Sequence, residues 1–240
     1  MERSISLIMS AYNESAGIKL AVKTAQEKLK QYEFDYEIFI FNDGSADNTG
    51  KIADVLAAED SKVKVFHNSK NMNVGYNFSR GIELASKSYT CFWPCHNLIA
   101  SESFDCILPA IGRCDKDVIV AYIANPRVRP LSRRFVSRFN TALLNLLFDF
   151  GLKYYHLNFY RTALLKQLPN STQGYAFMVE LLVYALTSGA KWAEVPFWRL
   201  ERGVGKSKAL RFKNIADILK TYARLFWRVR ILKQKINLDA

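Results

Sequence analysis

Four side chains in separate stretches of the chain are of types that bind and react. Tyr12 and Glu14 follow an apolar run, Asp43 sits in the turn Asn42-Asp43-Gly44-Ser45, and His96 stands in Pro94-Cys95-His96-Asn97. A tyrosine face stacks on a flat ring, and a carboxylate accepts hydrogen bonds from hydroxyl or N–H groups. An imidazole holds a metal, donates an N–H or carries charge when protonated. Cations gather in two further places. Arg127, Arg129, Arg133, Arg134 and Arg138 form a mid-chain group, and between Arg199 and Lys235 the many lysines and arginines meet only Glu201 and Asp217 as acids. The formal net charge is +12. Such surfaces seek anions: nucleic acid, anionic lipid headgroups or phosphorylated ligands. A solubilising surface is the plainer account of the same charges. No reading helix or RNA-binding motif accompanies them, so nucleic acid is not the expected partner.

Cys91, Cys95, Cys106 and Cys114 lie close together beside His96. A zinc site can be drawn from them, but they lack the paired CxxC spacing of structural zinc. Free, buried thiols in a reducing compartment are the expectation. The first residues, MERSISLIMS, hold too short an apolar run for a signal peptide. No stretch approaches the roughly 18 to 20 apolar residues that span a bilayer, so the expected location is cytoplasmic.

The elements that must position these groups alternate between strand and helix. Strands are expected at Ser4–Ser10, Asp35–Phe41, Val63–His67, Tyr89–Trp93 and Val118–Tyr122, all rich in β-branched, aromatic or aliphatic residues. Helices are expected at Ala16–Gln31, from an Asp47 cap to Glu59, at Asn77–Ala85 and at Asp105–Ile111. That order predicts an α/β fold with a parallel sheet and right-handed crossovers. Ligands of such sheets sit at the carboxyl ends of the strands. The loops Ala11–Glu14, Asn42–Asp47 and Pro94–Asn97 all fall at those ends.

Ser6-Leu-Ile-Met-Ser-Ala-Tyr-Asn-Glu14, Asn42-Asp-Gly-Ser-Ala-Asp-Asn-Thr49 and Asn71-Met-Asn-Val-Gly75 through Arg80-Gly81 resemble, in order and approximate spacing, the nucleotide-binding half of family 2 glycosyltransferases of the GT-A fold. The resemblance implies a Rossmann-like, mostly parallel sheet flanked by helices. It implies a nucleotide-sugar donor held by Ala11, Tyr12, Glu14, Asp43, Ser45, Asn73, Gly75 and Arg80, with Gly75 allowing close backbone approach and Arg80 neutralising phosphate. The chain departs from the family at Ser10 for Pro and at Asn42 for Asp. At Pro94-Cys95-His96-Asn97 the family has a carboxylate pair, or Pro-Gly-Asp-Asn, that holds Mg²⁺ or Mn²⁺. His96 binds Mn²⁺ less suitably than an aspartate does, or contacts the diphosphate directly and makes a metal dispensable; an inert nucleotide-binding domain is a further alternative.

Later segments resemble polyprenyl-phosphate sugar transferases of the dolichyl-phosphate mannose synthase type. They are Arg127-Val-Arg129-Pro-Leu-Ser-Arg133, Tyr154 through Arg161, with Leu157 where relatives have glycine, Gly174 through Glu180, Glu194-Val-Pro196 and Arg202-Gly-Val-Gly-Lys206-Ser207-Lys208. The implied acceptor is a lipid phosphate, already ionised and needing no general base. Arg127 and Arg129 on one side, and Arg202, Lys206 and Lys208 on the other, then bring two phosphorylated reactants together, with Lys208 also a donor-binding candidate. A hydroxyl acceptor on a growing glycan requires a carboxylate base instead. Glu180 is the candidate for that role, or it holds a loop through hydrogen bonds.

Residues 1–210 are read as the glycosyltransferase domain and 211–240 as a basic amphipathic helix. Leu131, Phe135, Phe139, Leu143, Leu146, Leu147 and Phe150 recur at helical spacing among arginines, and Phe212–Leu232 repeats the pattern. Such helices lie in the headgroup plane of a membrane, or pack on the protein's own core or on a second copy in a homo-oligomer.

Overall fold

A computed structural model describes residues 3–96, 98–113, 115–153, 157–174, 176–201 and 212–232. Among them, seven strands form one sheet in the order β3-β2-β1-β4-β6-β5-β7. The strands are β1 Ser4–Ala11, β2 Asp35–Asn42, β3 Val63–His67, β4 Tyr89–Phe92, β5 Val118–Ile123, β6 Leu157–Arg161 and β7 Trp192–Phe197. The helices are α1 Ile18–Gln31, α2 Thr49–Glu59, α3 Val74–Leu84, α4 Phe104–Gly112, α5 Leu131–Phe148, α6 Thr162–Gln167, α7 Phe177–Thr187 and α8 Phe212–Phe226, the last continued by a π turn at Trp227–Ile231.

Side chains alternate across the sheet as a pleated strand requires. Ile5, Leu7 and Met9 of β1 enter the core under α1, α2 and α4, whereas Ile8 enters the core under α3 and α7. Val118 and Val120 of β5 join the second core, and Ile119 and Ala121 join the first. Burial on both faces explains the near-continuous apolar runs in the strands.

The expected, mostly parallel sheet is observed, with one strand reversed. β6 runs antiparallel to both β4 and β5. It enters between them after α5 reverses the chain, so β5 never pairs with β4. Because β6 is antiparallel to both, β4 and β5 still end at the same edge. Helix α3 begins at Val74 rather than Asn77, and Asn48 occupies the position before α2 without a side-chain hydrogen bond to its first turn. Asp47 nonetheless accepts from the Thr49 amide and so serves the first turn of α2.

Helix α8 is not detached from the body. Tyr222 and Leu225 lie in the second core, and the Tyr222 hydroxyl donates to Asn140 Oδ1 on α5 at 2.9 Å. The stripe predicted on α5 divides in two. Leu143, Leu147 and Phe150 rest on the core, while Leu131, Phe135, Phe139 and Leu146 face outward at 75%, 73%, 61% and 78% exposure. No helix among the described residues is long and apolar enough to cross a membrane.

Candidate active site

The loops after β1 and β2 are tied to each other through their backbones. The Asp43 amide donates to the Ala11 carbonyl at 2.8 Å, and the Ser45 hydroxyl donates to the same carbonyl at 3.3 Å. Asn13, at φ 55°, is held in the left-handed region. Its amide donates to Ser45 Oγ and its side-chain oxygen accepts from the Ala46 amide. Thr49 Oγ1 accepts from the Glu14 amide at 2.8 Å, and Asp47 Oδ2 accepts from the Ser15 amide at 3.2 Å. The start of α2 therefore fixes where Glu14 stands.

Glu14 meets His96. Their Oε1 and Nδ1 atoms lie 3.6 Å apart, within ion-pair range but too far for a hydrogen bond. His96 Nδ1 is buried with no hydrogen-bond partner. The loop carrying His96 is pinned to β1: the Trp93 amide donates to the Ile8 carbonyl at 2.8 Å and the Cys95 thiol to the Ser10 carbonyl at 3.2 Å. Burial, with the Glu14 charge nearby, raises the Cys95 thiol far above its ordinary pKa and keeps it protonated.

Beneath this rim lies a polar lattice that motif reading did not find. Asp43 is buried, and its Oδ1 accepts from Asn68 Nδ2 at 2.9 Å and from the Met72 amide at 2.8 Å. Asn68 Nδ2 also donates to Asn77 Oδ1, and Asn77 Nδ2 donates to Ser10 Oγ. Arg80 donates to Asn68 Oδ1 at 3.0 Å while its guanidinium lies over the rings of Phe41, Phe66 and Tyr76. Arg80 is thus engaged inside the protein, at the base of the Asp43 loop. The polar cluster Asn68-Ser69-Lys70-Asn71 after β3 was the available signal for Asn68. Ser10, noted only as a departure from the family pattern, receives the end of this chain.

Gly75 does permit a close backbone approach, but the approaching backbone is the protein's own. Its amide donates to the Gln173 carbonyl at 2.8 Å, and an added Cβ would stand 2.5 Å from the Thr172 carbonyl oxygen. Asn73 stands immediately before α3 at φ 75°, without a side-chain hydrogen bond to the helix. Tyr12 is half exposed at the rim.

Of the two roles open for Glu180, the geometry matches the loop-holding one. Glu180 is 0% exposed. Its carboxylate accepts from the Ser171 amide and hydroxyl, from the Thr172 amide and from Arg224. A base needs a lone pair facing the reacting hydroxyl, and these donors occupy both oxygens.

Arg127 lies in a 3-10 turn, Pro126–Val128, directly after β5, with Arg129 next to it. This places both at the sheet edge where β1, β2 and β4 end. The turn is held by Asn125, whose side chain exchanges two hydrogen bonds with the Arg199 backbone. Arg202, Lys206 and Lys208 lie outside the described residues, as do Asn97, Cys114 and 154–156.

Mg²⁺ and Mn²⁺ prefer several oxygen ligands. Among the described residues no three His, Cys, Asp or Glu side chains converge. At the loop resembling the family's metal motif the chain offers the Glu14 carboxylate and an imidazole, beside a protonated thiol turned to a backbone carbonyl. This donor set does not match a divalent-metal site of the usual kind.

Comparison with known proteins agrees with this architecture. A polyprenol monophosphomannose synthase from Mycolicibacterium smegmatis is 26% identical over 236 residues, covering 93% of this chain and 86% of that protein. The glycosyltransferase GlyG of Streptococcus pneumoniae is 26% identical over 125 residues, 52% of this chain and 40% of its own length. The chain spans less than half the length of several such curated relatives. A glucosyl-3-phosphoglycerate synthase from Mycobacterium tuberculosis, solved with Mn²⁺, uridine diphosphate and glucosyl-3-phosphoglycerate, superposes with a TM-score of 0.65 at 18% identity, covering 92% of this chain and 80% of that one. At that identity the likeness establishes the shared GT-A fold. The description "Glycosyl transferase family 2" matches residues 6–178, most of the sheet and its rim loops, and the chain belongs to that family.

Proposed function

We propose that this chain transfers a sugar, with inversion, from a nucleoside-diphosphate sugar to a polyprenyl phosphate at a membrane surface. The observation that carries this reading is the meeting of two anion-directed groups at one sheet edge. The Tyr12, Glu14, Asp43 and His96 loops follow β1, β2 and β4, and the Arg127–Arg129 turn follows β5. A nucleotide donor fits the first group and an anionic acceptor fits the second. The match to a polyprenol monophosphomannose synthase along nearly the whole chain supports the choice of acceptor.

In this reading an acceptor phosphate oxygen attacks the anomeric carbon. A bond forms there as the bond from that carbon to the diphosphate oxygen breaks, and the nucleoside diphosphate leaves with the electron pair. The phosphate is already ionised, so no base is required. That agrees with Glu180 being occupied by four donors. His96 stabilises the departing charge by donating an N–H, and Glu14 orients its ring. Arg127 and Arg129 offset repulsion between the two phosphorylated reactants. The outward apolar face of α5, flanked by Arg134 and Arg138, gives the lipid acceptor a surface from which to enter.

The test is direct. Purified protein is incubated with radiolabelled uridine- or guanosine-diphosphate sugars and either undecaprenyl or dolichyl phosphate. Label is expected in the lipid fraction. Label appearing only in oligosaccharide acceptors overturns the lipid-phosphate reading in favour of glycan extension. No label in either, with no nucleotide binding, points to an inert domain.

A further inference from the structure

Helix α8 reaches the segment before α7 through the Arg224 side chain. Arg224 Nη2 lies 2.9 Å from Glu180 Oε1 and donates to Thr172 Oγ1 at 2.8 Å. Glu180 has no exposure to solvent, so its carboxylate must be satisfied by the groups that surround it. Besides Arg224 these are the amides of Ser171 and Thr172 and the Ser171 hydroxyl, all belonging to the segment before α7. The same segment meets α3. The Gln173 carbonyl accepts from the Gly75 amide, and Asn170 Nδ2 donates to Ser79 Oγ at 2.7 Å. Immediately before α3, the Met72 amide donates to Asp43 Oδ1. Direct contacts thus run from Arg224 through Glu180, Thr172 and Gln173 to Gly75, and from there through the start of α3 to Asp43.

Arg228, in the turn after α8, also feels the Glu180 charge, but its guanidinium donates to the Tyr184 hydroxyl at 3.3 Å and makes no direct bond to the carboxylate. A second side chain of α8, Asp217, faces the segment at Gly174, where an added Cβ would lie 2.6 Å from its Oδ2. The segment is therefore enclosed by α3 on one side and α8 on the other, with the buried carboxylate at its centre.

We propose that Arg224 is a positioning residue: paired with Glu180, it fixes residues 171–173 against the first turn of α3 and so sets the wall of the donor site. The chemistry is a charge clamp. With the guanidinium in place, the Glu180 carboxylate draws two amides and a hydroxyl inward. Without it, the solvent-excluded carboxylate keeps only neutral groups in direct contact, with Arg228 further off, and the segment loosens to admit water. This extends the donor-site reading above, but the clamp itself is a property of the unliganded protein and is measured there.

Hydrogen exchange is recorded on the full chain for Arg224→Met and Arg224→Lys beside the wild type. Loss of the clamp is expected to speed exchange of the Thr172 and Gly75 amides about tenfold in Arg224→Met, as local opening replaces a closed segment. Arg224→Lys, which retains charge but makes fewer hydrogen bonds, should restore much of the protection. The amides in the middle of α7 serve as the internal control for intact folding. Unchanged exchange at 171–173 and at Gly75 in Arg224→Met overturns the proposal, as does an equal loss in the lysine variant. If Arg224→Met is globally unfolded, the lysine variant decides: protection at 171–173 within twofold of wild type supports the clamp, and wholesale loss there overturns it. Where transfer is observed, the nucleotide-sugar KM should rise about tenfold in Arg224→Met with little change in kcat, the pattern of lost ground-state binding. If no variant transfers sugar, wild type included, the exchange result still stands and the failure belongs to the functional reading.

Discussion

Nδ1 of His96 is buried 3.6 Å from the Glu14 carboxylate and bonded to nothing. Buried polar atoms are normally satisfied, so this pair sits in an arrangement that a proton or a ligand completes. In the reading proposed here Nδ1 faces Glu14, which orients the ring, and the other ring nitrogen donates to the leaving diphosphate. His96→Ala should lower kcat/KM for the nucleotide sugar by about 100-fold, the typical cost of removing one donor to developing charge. Activity should persist in the presence of EDTA. His96→Asp, which places a hard oxygen donor beside Glu14, should instead become responsive to Mn²⁺. Steady-state assays with EDTA and with Mn²⁺ check all three, and an His96→Ala enzyme as active as wild type removes His96 from the mechanism.

Asp47 links the two donor loops, and its ionisation sets an acid limit on that link. Partial burial pushes its carboxyl up, but hydrogen bonds from Thr49 and Ser15 more than offset this and hold it at about 2. An unfolded aspartate titrates near 3.9. The folded value is the lower one, so the stabilisation is complete above about pH 4 and is lost as pH falls through about 2. Asp47→Asn should flatten the fall in unfolding free energy across that window while leaving the slope at neutral pH unchanged. Urea denaturation at several acid pH values measures it. An identical acid profile in the variant would show that other carboxylates set the limit.

Gly75 allows a sharper test of packing. A Cβ there meets the Thr172 carbonyl oxygen at 2.5 Å and Gln173 backbone atoms at 2.6 Å. Backbone atoms cannot rotate away as a side chain can. Gly75→Ala must therefore push α3 and the 172–173 segment apart and weaken the Gly75–Gln173 hydrogen bond. The expected cost is about 1–3 kcal/mol, the range for overpacking. This outweighs the ~1 kcal/mol that alanine gains over glycine within a helix. A denaturant midpoint at or above the wild-type value would contradict the close approach.

Much of this organisation was legible in the sequence because it depends on local chemistry. The strands of the first half could be read from short buried apolar runs, and their carboxyl-end loops from turn residues such as Asn42-Asp43-Gly44-Ser45. The antiparallel strand β6 could not be read in the same way. Strand direction depends on where α5 returns the chain, and a parallel and an antiparallel buried strand have the same apolar pattern. Glu180 shows a second limit. A carboxylate in a family motif invites a catalytic role, but its partners lie on Ser171 and Thr172 nearby and on Arg224, 44 positions away. Long-range pairing of this kind leaves no periodic trace. Asn68 was missed for a related reason: an asparagine after a strand reads as a turn former, and only the folded chain shows it bridging Asp43, Asn77 and Arg80.

The outward face of α5 makes the last prediction. Leu131, Phe135, Phe139 and Leu146 lie on one side of the helix, with Arg134 and Arg138 along one edge of that face. Apolar side chains exposed to this degree raise the free energy of the protein in water unless something covers them. An anionic bilayer suits both components, since each basic residue near it contributes about 1 kcal/mol and each buried aromatic about 1.5–3 kcal/mol. Phe135→Asp with Phe139→Asp should abolish co-sedimentation with phosphatidylglycerol vesicles while leaving the thermal midpoint close to wild type, because neither ring contributes to the core. Arg134→Gln with Arg138→Gln should weaken binding to the same vesicles and reduce its dependence on salt, because fewer charges face the anionic surface. The two pairs separate the mechanisms. Loss with the first and weaker, less salt-dependent binding with the second describes an interfacial helix, whereas undiminished sedimentation of the aspartate variant, accompanied by a change in oligomeric state, assigns the face to contact between copies of the protein.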